Sequence, residues 1–302
     1  MDGESRYLRL EDLRRLRHLT FTSRRRVEGA YAGRHVSPHR GHSVEFADYR
    51  AYMPGDEVGD IDWKVYGRSD RLYVKLFEHH SDMTVNLLLD GSGSMAYAGI
   101  DPPRDATKRY SKFDHAARLS AAIALLAIKQ QDRASLSVAR EGLKQWRRPS
   151  GSMARMEGWF KELQALEPSG EARLDEVLHQ LSQKAAKRGL LILLSDLLDE
   201  PEAILKGLSL FTHRGSEVIV FHVLHTDELK LPELDDAVFQ DSETASRLTL
   251  NVGDVRSAYD RSMKRFLGMW SSACRARGMD YRLVRTSEDP IGVLSQYLGG
   301  RA

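Results

Sequence analysis

The sequence predicts an α/β protein with a mostly parallel sheet that helices cover on both faces. From residue 83 onward, apolar runs of strand length alternate with longer segments of helical periodicity, which is typical of parallel sheets. The runs at 83–89, 189–195 and 217–224 are almost continuously apolar, as strands buried on both faces are. Two of these runs lead directly into an acid, Asp90 or Asp196. With 41% hydrophobic and 29% charged residues in a chain of 302, a sizeable core is available.

The segment before residue 83 has a different pattern of apolar residues, which predicts an N-terminal extension of helix and short strands. Residues 8–19 have helical periodicity, and residues 71–77 alternate apolar and other side chains like a half-buried strand. Only a short polar break separates 71–77 from 83–89, so the two are predicted to pair as a hairpin. We therefore expect an extension over residues 1–81 that packs on a larger domain over residues 82–302, because the extension alone would bury only a marginal core.

The same periodicities predict the remaining elements. Residues 111–131 form a strong helix with a face of small side chains, and the helix at 201–213 has Pro201 at its start. Residues 225–246 are polar and are predicted to be irregular. The other expected elements are a strand at 134–139, helices at 153–166 and 174–188, a strand at 247–252, a helix at 254–277, a strand at 281–284 and a helix at 291–297.

Charge and composition narrow the classes of function. The formal net charge is +2, which gives no indication of a nucleic-acid partner. The single cysteine, Cys274, excludes an intramolecular disulfide and fits a reducing compartment. No signal-like segment opens the chain, and the most apolar stretches are too short to cross a bilayer. The sequence therefore predicts a cytoplasmic protein with no membrane span and no nucleic-acid partner.

The residues after the first apolar strand predict a metal site. Asp90, Ser92 and Ser94 follow the strand directly, with Gly91 and Gly93 between them to allow a tight turn. Carboxylate and hydroxyl oxygens suit a hard cation such as Mg²⁺. The pattern Asp-x-Ser-x-Ser at a strand end resembles the metal-ion-dependent adhesion site of von Willebrand factor A domains. A polar turn whose aspartate caps the next helix is the alternative.

A second strand brings another acid to the same edge. Asp196 follows the run at 189–195, and the carboxyl ends of parallel strands form the ligand crevice of open α/β sheets. We therefore expect Asp90, Ser92 and Ser94 to converge on one divalent cation, with Asp196 acting through water molecules.

Longer strings of the chain carry a second resemblance, which spans residues 8–299. It rests on the segments 33–35, 41–46, 49–50, 52–56, 61–63, 71–75, 239–244, 258–259, 278–281 and 297–298. These segments are similar to bacterial domain-of-unknown-function family 58. The resemblance implies a von Willebrand factor A-like domain over 82–302, preceded by the family's N-terminal segment. It also implies association with a MoxR-type AAA+ ATPase, and hence a non-enzymatic role as adaptor or co-chaperone.

One position departs from the adhesion-site pattern. That pattern takes a threonine from a Gly-x-Thr-x-Leu loop, and the matching stretch here places Ala172 in the threonine slot. Alanine offers no oxygen, so the ligand must come from water, Glu171 or Ser169, or the ion binds weakly.

Other polar clusters are interpreted as structural. Three histidines at 35, 39 and 42 have flanking arginines and no nearby cysteine, which favours a solvated loop over a zinc site. The acids Asp56, Glu57, Asp60 and Asp62 lack the spacing of a calcium loop.

Three function hypotheses stay open at this point. The first is an adaptor that presents Mg²⁺ to an acidic side chain of a protein partner. The second is a metal-independent interaction module of the same fold. The third, a metal-dependent hydrolase, is not favoured, because the sequence lacks the nucleophile elbow and the phosphate-binding loop.

Overall fold

The computed structural model describes residues 6–7, 10–20, 44–53, 59, 61–79, 83–100, 110–185, 189–234, 236–240 and 247–300. The chain divides into two compact units, one formed by Met1–Tyr31 with Met83–Ala302 and the other by Ala32–Asp82. The helices are α1 Leu10–Arg15, α2 Trp63–Ser69, α3 Lys112–Lys129, α4 Met153–Gln164, α5 Leu174–Lys184, α6 Pro201–His213, α7 Thr226–Leu229, α8 Val252–Ala276 and α9 Pro290–Gly299. The strands are β1 Val44–Ala51, β2 Tyr73–His79, β3 Thr84–Asp90, β4 Arg133–Ala139, β5 Leu143–Ser150, β6 Leu190–Ser195, β7 Glu217–Leu224, β8 Asp236–Gln240, β9 Arg247–Asn251 and β10 Asp280–Arg285.

The smaller unit is built on an antiparallel pair of strands. Strand β1 pairs with β2 so that Val44 lies opposite His79 and Ala51 opposite Tyr73. The predicted hairpin between 71–77 and 83–89 is therefore wrong. Strand β3 is buried along its whole length and pairs with β4 and β6 instead, because a strand that is apolar on both faces belongs inside a parallel sheet.

Asp62 shows what one of the sequence's acidic residues does in this unit. Its Oδ1 accepts hydrogen bonds from the backbone nitrogens of Lys64 and Val65 and so caps α2, while Oδ2 accepts one from the Tyr49 hydroxyl at 2.8 Å. These are fold-holding contacts. Asp56, Glu57, Asp60 and the three histidines at 35, 39 and 42 lie outside the described residues.

The larger unit contains a six-stranded sheet in the order β10-β7-β6-β3-β4-β5. Five of these strands are parallel, and β5 runs antiparallel to β4 at the edge. The predicted mostly parallel sheet is confirmed. The chain leaves β3 toward one edge and returns to place β6 on its other side, so the switch point lies at the carboxyl ends of β3 and β6.

Two separate apolar layers cover the sheet. On one face, alternate residues of β3 and β6 such as Leu87 and Ile192 pack with α3, α4 and α9. On the other face, residues such as Leu88 and Leu193 pack with α5, α6 and α8. Burial of successive residues on opposite faces explains the continuously apolar strands of the sequence.

The structure adds elements that periodicity did not predict. Strand β5, the short helix α7 and strand β8 were not anticipated, and β8 pairs antiparallel with β9. Residues 1–31 group with the larger unit, where Leu16 is fully buried in the core. The packing of residues 32–81 on that unit stays a prediction.

Across the described ranges, no helix combines the length and the apolar character that crossing a bilayer requires.

Candidate functional site

The site begins where β3 ends and the chain turns sharply. Gly91 donates its backbone N–H to the Ala139 carbonyl at 2.8 Å, and its own carbonyl accepts one from Ser169 at 3.0 Å. A Cβ at Gly91 would lie 2.9 Å from Val138 Cγ1 and 3.2 Å from the Ala139 carbonyl oxygen, so only glycine fits without a shift. The chain then forms a short 3-10 turn over Gly93–Ala96, which places Ser92 and Ser94 beside the end of the strand.

The Asp90 carboxylate is buried and both of its oxygens are engaged. Oδ1 accepts from the Ser92 backbone N–H at 2.9 Å, and Oδ2 accepts from the Ser195 hydroxyl at 2.5 Å. Burial, and then the charge of Asp196, raise the pKa of Asp90 to about 7 against the opposing effect of these hydrogen bonds.

A chain of hydroxyls links this turn to the end of β6. The Ser94 hydroxyl donates to Asp196 Oδ2 at 2.6 Å, and Ser92 Oγ lies 3.0 Å from Ser94 Oγ. Because the single hydroxyl proton of Ser94 goes to Asp196, Ser92 is the donor to Ser94. The structure therefore brings together all four residues that the sequence singled out. Their role as metal ligands stays a prediction.

The backbone of Asp196 is held as well, by His222 on strand β7. His222 Nε2 lies 2.8 Å from the Asp196 carbonyl oxygen, and His222 Nδ1 lies 2.8 Å from the Tyr281 hydroxyl. A carbonyl only accepts, so Nε2 carries the proton and Nδ1 accepts from Tyr281. Burial lowers the pKa of His222 to about 4, which keeps the ring neutral at pH 7.

Lys112, which sequence reasoning missed, completes the site. Its side chain is fully buried, and Nζ lies 2.8 Å from Asp196 Oδ2 and 2.5 Å from Glu228 Oε1. Burial alone lowers the pKa of Lys112, but the charges of Asp196 and Glu228 and the hydrogen bonds to them raise it by more, so the pKa lies above its ordinary value. The site therefore contains a permanent ammonium ion.

One signal in the sequence points to Lys112. It is the first residue of α3, directly after the capping residue Ser111, whose hydroxyl and the Asp114 carboxylate form a capping box. A cation at a helix N-terminus opposes the helix dipole, so a buried lysine there requires nearby carboxylates.

The residues present do not fit a divalent cation while Lys112 stays in place. Asp90, Ser92 and Ser94 offer suitable oxygens, but the ammonium already occupies Asp196 Oδ2. Ala172 is 4% exposed and packs in the apolar layer with Leu88, so position 172 supplies no oxygen. Within the described ranges, no three acidic, histidine or cysteine side chains are grouped to hold a metal ion.

An apolar groove, here named the carboxyl-edge groove, adjoins the cluster of Lys112, Asp196 and Glu228 and the hydroxyls beside it. It encloses about 560 Å³, and Ser94 and Glu228 of the cluster reach its wall. Exposed apolar side chains line it, among them Ile100, Leu198 and Val238, with exposed fractions of 48%, 58% and 62%. An exposed apolar concavity next to a polar cluster is the arrangement of a binding surface.

Comparison with known proteins places this architecture in a family. Residues 48–266 match the family described as "Protein of unknown function DUF58". Uncharacterized proteins of Mycobacterium tuberculosis and Mycobacterium bovis are each 24% identical over 291 residues, which cover 95% of this chain and 88% of theirs.

Solved structures of low identity also resemble the chain. The conserved hypothetical protein BatB from Bacteroides thetaiotaomicron has a TM-score of 0.46 at 14% identity, covering 72% of this chain and 98% of that one. The SpRpn10 VWA domain has a TM-score of 0.41 at 11% identity, covering 72% and 95%. The family match covers more than half of the chain, which therefore belongs to DUF58, and its fold is a mostly parallel six-stranded sheet flanked by helices.

Proposed function

We propose that the protein is a non-enzymatic interaction module that binds a protein partner at the carboxyl edge of its sheet. The observation that carries this proposal is the carboxyl-edge groove, an exposed apolar concavity beside the Lys112–Asp196–Glu228 cluster. Switch points of parallel sheets are where such folds bind their ligands. The family resemblance suggests the partner, a MoxR-type AAA+ ATPase, which the protein serves as an adaptor or co-chaperone.

The chemistry of the acids supports binding rather than catalysis. Both Asp90 oxygens are hydrogen-bonded and the residue is 2% exposed, so its carboxylate is not presented to a substrate. The Asp196 oxygen nearest the hydroxyls is held by the Lys112 ammonium. Both acids are therefore engaged inside the protein, and the groove beside them supplies the surface for a partner.

A second candidate is the metal-dependent mode of the adhesion-site pattern. In that mode an acidic side chain of the partner reaches Mg²⁺ held by Asp90, Ser92 and Ser94. The convergence of these three residues with Asp196 favours it, but the mode requires the Lys112 ammonium to leave Asp196 Oδ2. A chelator distinguishes the two modes, because only the second loses partner binding when divalent cations are removed.

The test measures binding of a purified MoxR-type ATPase from the same organism to the immobilised chain, with and without EDTA, and in the absence of nucleotide so that the ATPase itself holds no Mg²⁺. Leu198→Gln and Val238→Thr remove apolar contact area from the groove with little change in size. We expect each to weaken binding about 5- to 30-fold, the effect of losing roughly 1–2 kcal/mol of apolar burial.

Met269→Gln is the matched control, since Met269 is exposed on α8 and is not part of the groove wall. An affinity that falls equally in the control and the groove variants would reject the groove as the docking surface. No binding of the ATPase by the unaltered protein would reject this partner. Binding that EDTA abolishes would favour the metal-dependent mode.

A further inference from the structure

The buried ammonium of Lys112 sits among groups that otherwise carry negative charge. Asp196 and Glu228 approach it at 2.8 and 2.5 Å, and the buried Asp90 carboxyl lies at the other end of the hydroxyl chain through Ser92 and Ser94. Without the ammonium, two carboxylates would face each other across a largely buried pocket. Such an arrangement is unfavourable unless a cation is present.

The ammonium binds a carboxylate oxygen that one of the predicted metal ligands also uses. Asp196 Oδ2 accepts from Lys112 and from the Ser94 hydroxyl, so the ammonium and the predicted metal ligands share one carboxylate oxygen. A Mg²⁺ ion close enough to use this oxygen, directly or through water, would lie near the ammonium and be repelled by it.

The second carboxylate is held in place for Lys112 by its own contacts. Glu228 Oε2 accepts from the His225 backbone N–H at 2.7 Å, which leaves Oε1 for the ammonium. The Tyr259 hydroxyl from α8 donates to the Glu228 carbonyl at 2.6 Å and fixes the short helix α7. Lys112 itself is the first residue of α3, where the helix dipole disfavours a cation, so these carboxylates and not the helix account for its charge there.

We propose that the Lys112 ammonium is the resident cation of this site and takes the place of the divalent ion that the Asp-x-Ser-x-Ser pattern implies. The loss of a hydroxyl at Ala172 fits this arrangement, because a site without a metal needs no ligand at that position. The inference concerns the site's cation and does not depend on which partner the protein binds. Its consequence is that the intact chain recognises its partner without a bridging metal.

The test titrates MgCl₂ and MnCl₂ into the full chain and into Lys112→Met, with heat of binding and melting temperature as readouts. Methionine has a similar length and no charge, so it leaves Asp196 and Glu228 without a cation. We expect no binding to the unaltered chain up to 10 mM metal. Lys112→Met should melt at a lower temperature, bind one divalent ion with a dissociation constant at least tenfold below that 10 mM limit, and regain melting temperature when the ion is added.

The matched control is Lys144→Met, which removes an exposed lysine paired with Glu141. It should bind no metal and keep its melting temperature. If Lys112→Met does not fold without metal, refolding in 10 mM MgCl₂ and in 10 mM KCl replaces the titration, and recovery in MgCl₂ alone supports the proposal.

Three outcomes would overturn the proposal. One is binding of a single Mg²⁺ by the unaltered chain below 1 mM, and another is a folded Lys112→Met variant that binds no divalent ion. The third is a Lys112→Met variant that fails to fold in either salt, whereas Lys112→Met/Asp196→Asn folds in both. That result would assign Lys112 to charge neutralisation without a cation site.

Discussion

Helix α3 carries two buried basic residues less than two turns apart, and they differ in how they bind their carboxylate partners. Arg118 donates from Nε and Nη2 to the two oxygens of Asp12 in α1, at 3.0 and 2.6 Å. Lys112 instead divides its ammonium between Asp196, which follows β6, and Glu228 in the short helix α7. The planar guanidinium fits one carboxylate in a fixed geometry, whereas an ammonium is a point charge that several acids share.

The Arg118 pair and the Lys112 cluster also differ in which parts of the molecule they connect. The Arg118–Asp12 pair joins the first described helix to the core helix α3, and Asp289 at the start of α9 lies 3.7 Å from the same guanidinium. It therefore connects three segments that are distant in sequence. The Lys112 cluster reaches the wall of the carboxyl-edge groove through Glu228, so its charges lie beside the surface that we propose as the docking site.

The largest expected effect comes from breaking the Arg118 pair. Asp12→Ala leaves a buried guanidinium without its main partner, which costs about 3 kcal/mol, at the low end of the range for such pairs because Asp289 remains nearby. At roughly 2–4 °C per kcal/mol, the melting temperature should fall by about 6–12 °C in thermal unfolding followed by circular dichroism.

Two variants control for this result. Arg15→Gln breaks an exposed pair with Asp289 and should change stability by less than about 1 kcal/mol. Asp12→Leu/Arg118→Leu removes both charges and should be more stable than Asp12→Ala. If Asp12→Ala melted within 2 °C of the unaltered protein, the pair would not be the structural connection described here.

A second expected effect is that stability depends on pH. His222 lies beside the Lys112 cluster and His115 lies near Arg118, and both are buried as neutral rings. Burial lowers the pKa of both His222 and His115 to about 4, and the Arg118 charge adds to the shift at His115. Between pH 4 and 6.5 the unfolded chain binds a proton at each histidine that the folded chain does not. Stability from these groups is therefore present above pH 6.5 and lost as the pH falls.

Asp90 acts in the opposite direction in the same range. Its pKa is raised to about 7, so the folded protein holds a proton that the unfolded chain has lost, and stability from this group declines as the pH rises. Two histidines against one carboxyl leave a net difference of one proton. We expect the free energy of unfolding to fall by about 1.4 kcal/mol per pH unit between pH 6.5 and about 4.5, as measured by urea unfolding at several pH values.

His115→Leu isolates one contribution to this slope. No group of the described chain hydrogen-bonds to His115 Nε2, so a leucine is expected to be tolerated at neutral pH. Without this histidine the remaining two groups oppose each other, and the slope between pH 6.5 and 4.5 should approach zero. A slope equal to that of the unaltered protein would show that His115 is protonated in the folded state or is not responsible.

The two clusters also show what a single sequence reveals and what it does not. Asp90 and Asp196 were predicted because each follows a continuously apolar strand, and parallel strands deliver their carboxyl ends to one edge. The partners of Lys112 lie 84 and 116 residues away, and Asp12 lies 106 residues from Arg118, so periodicity carries no information about them.

The errors in secondary structure have local physical reasons. Strand β5 was missed because it is an edge strand with exposed and half-exposed residues, including Lys144 and Arg148, and so lacks an apolar run. The hairpin between 71–77 and 83–89 was inferred from closeness in sequence alone. The burial of β3 on both faces decides its pairing.

The smallest expected effect distinguishes two reasons for weak metal binding, the missing hydroxyl at position 172 and the ammonium of Lys112. A ligand at 100 times its dissociation constant stabilises a protein by about 2.7 kcal/mol, which corresponds to roughly 5–11 °C here. If the hydroxyl were the deficiency, Ala172→Thr would show a shift of that order in 10 mM MgCl₂. We expect less than about 1 °C in both the unaltered protein and Ala172→Thr, because in both the ammonium remains on Asp196.

Lys112→Met/Ala172→Thr should show a larger shift in melting temperature with Mg²⁺ than Lys112→Met, since the added hydroxyl then has an ion to bind. A large shift in Ala172→Thr alone would show that Lys112 tolerates a neighbouring metal, and the contrast between the two charges of α3 would then be one of geometry only.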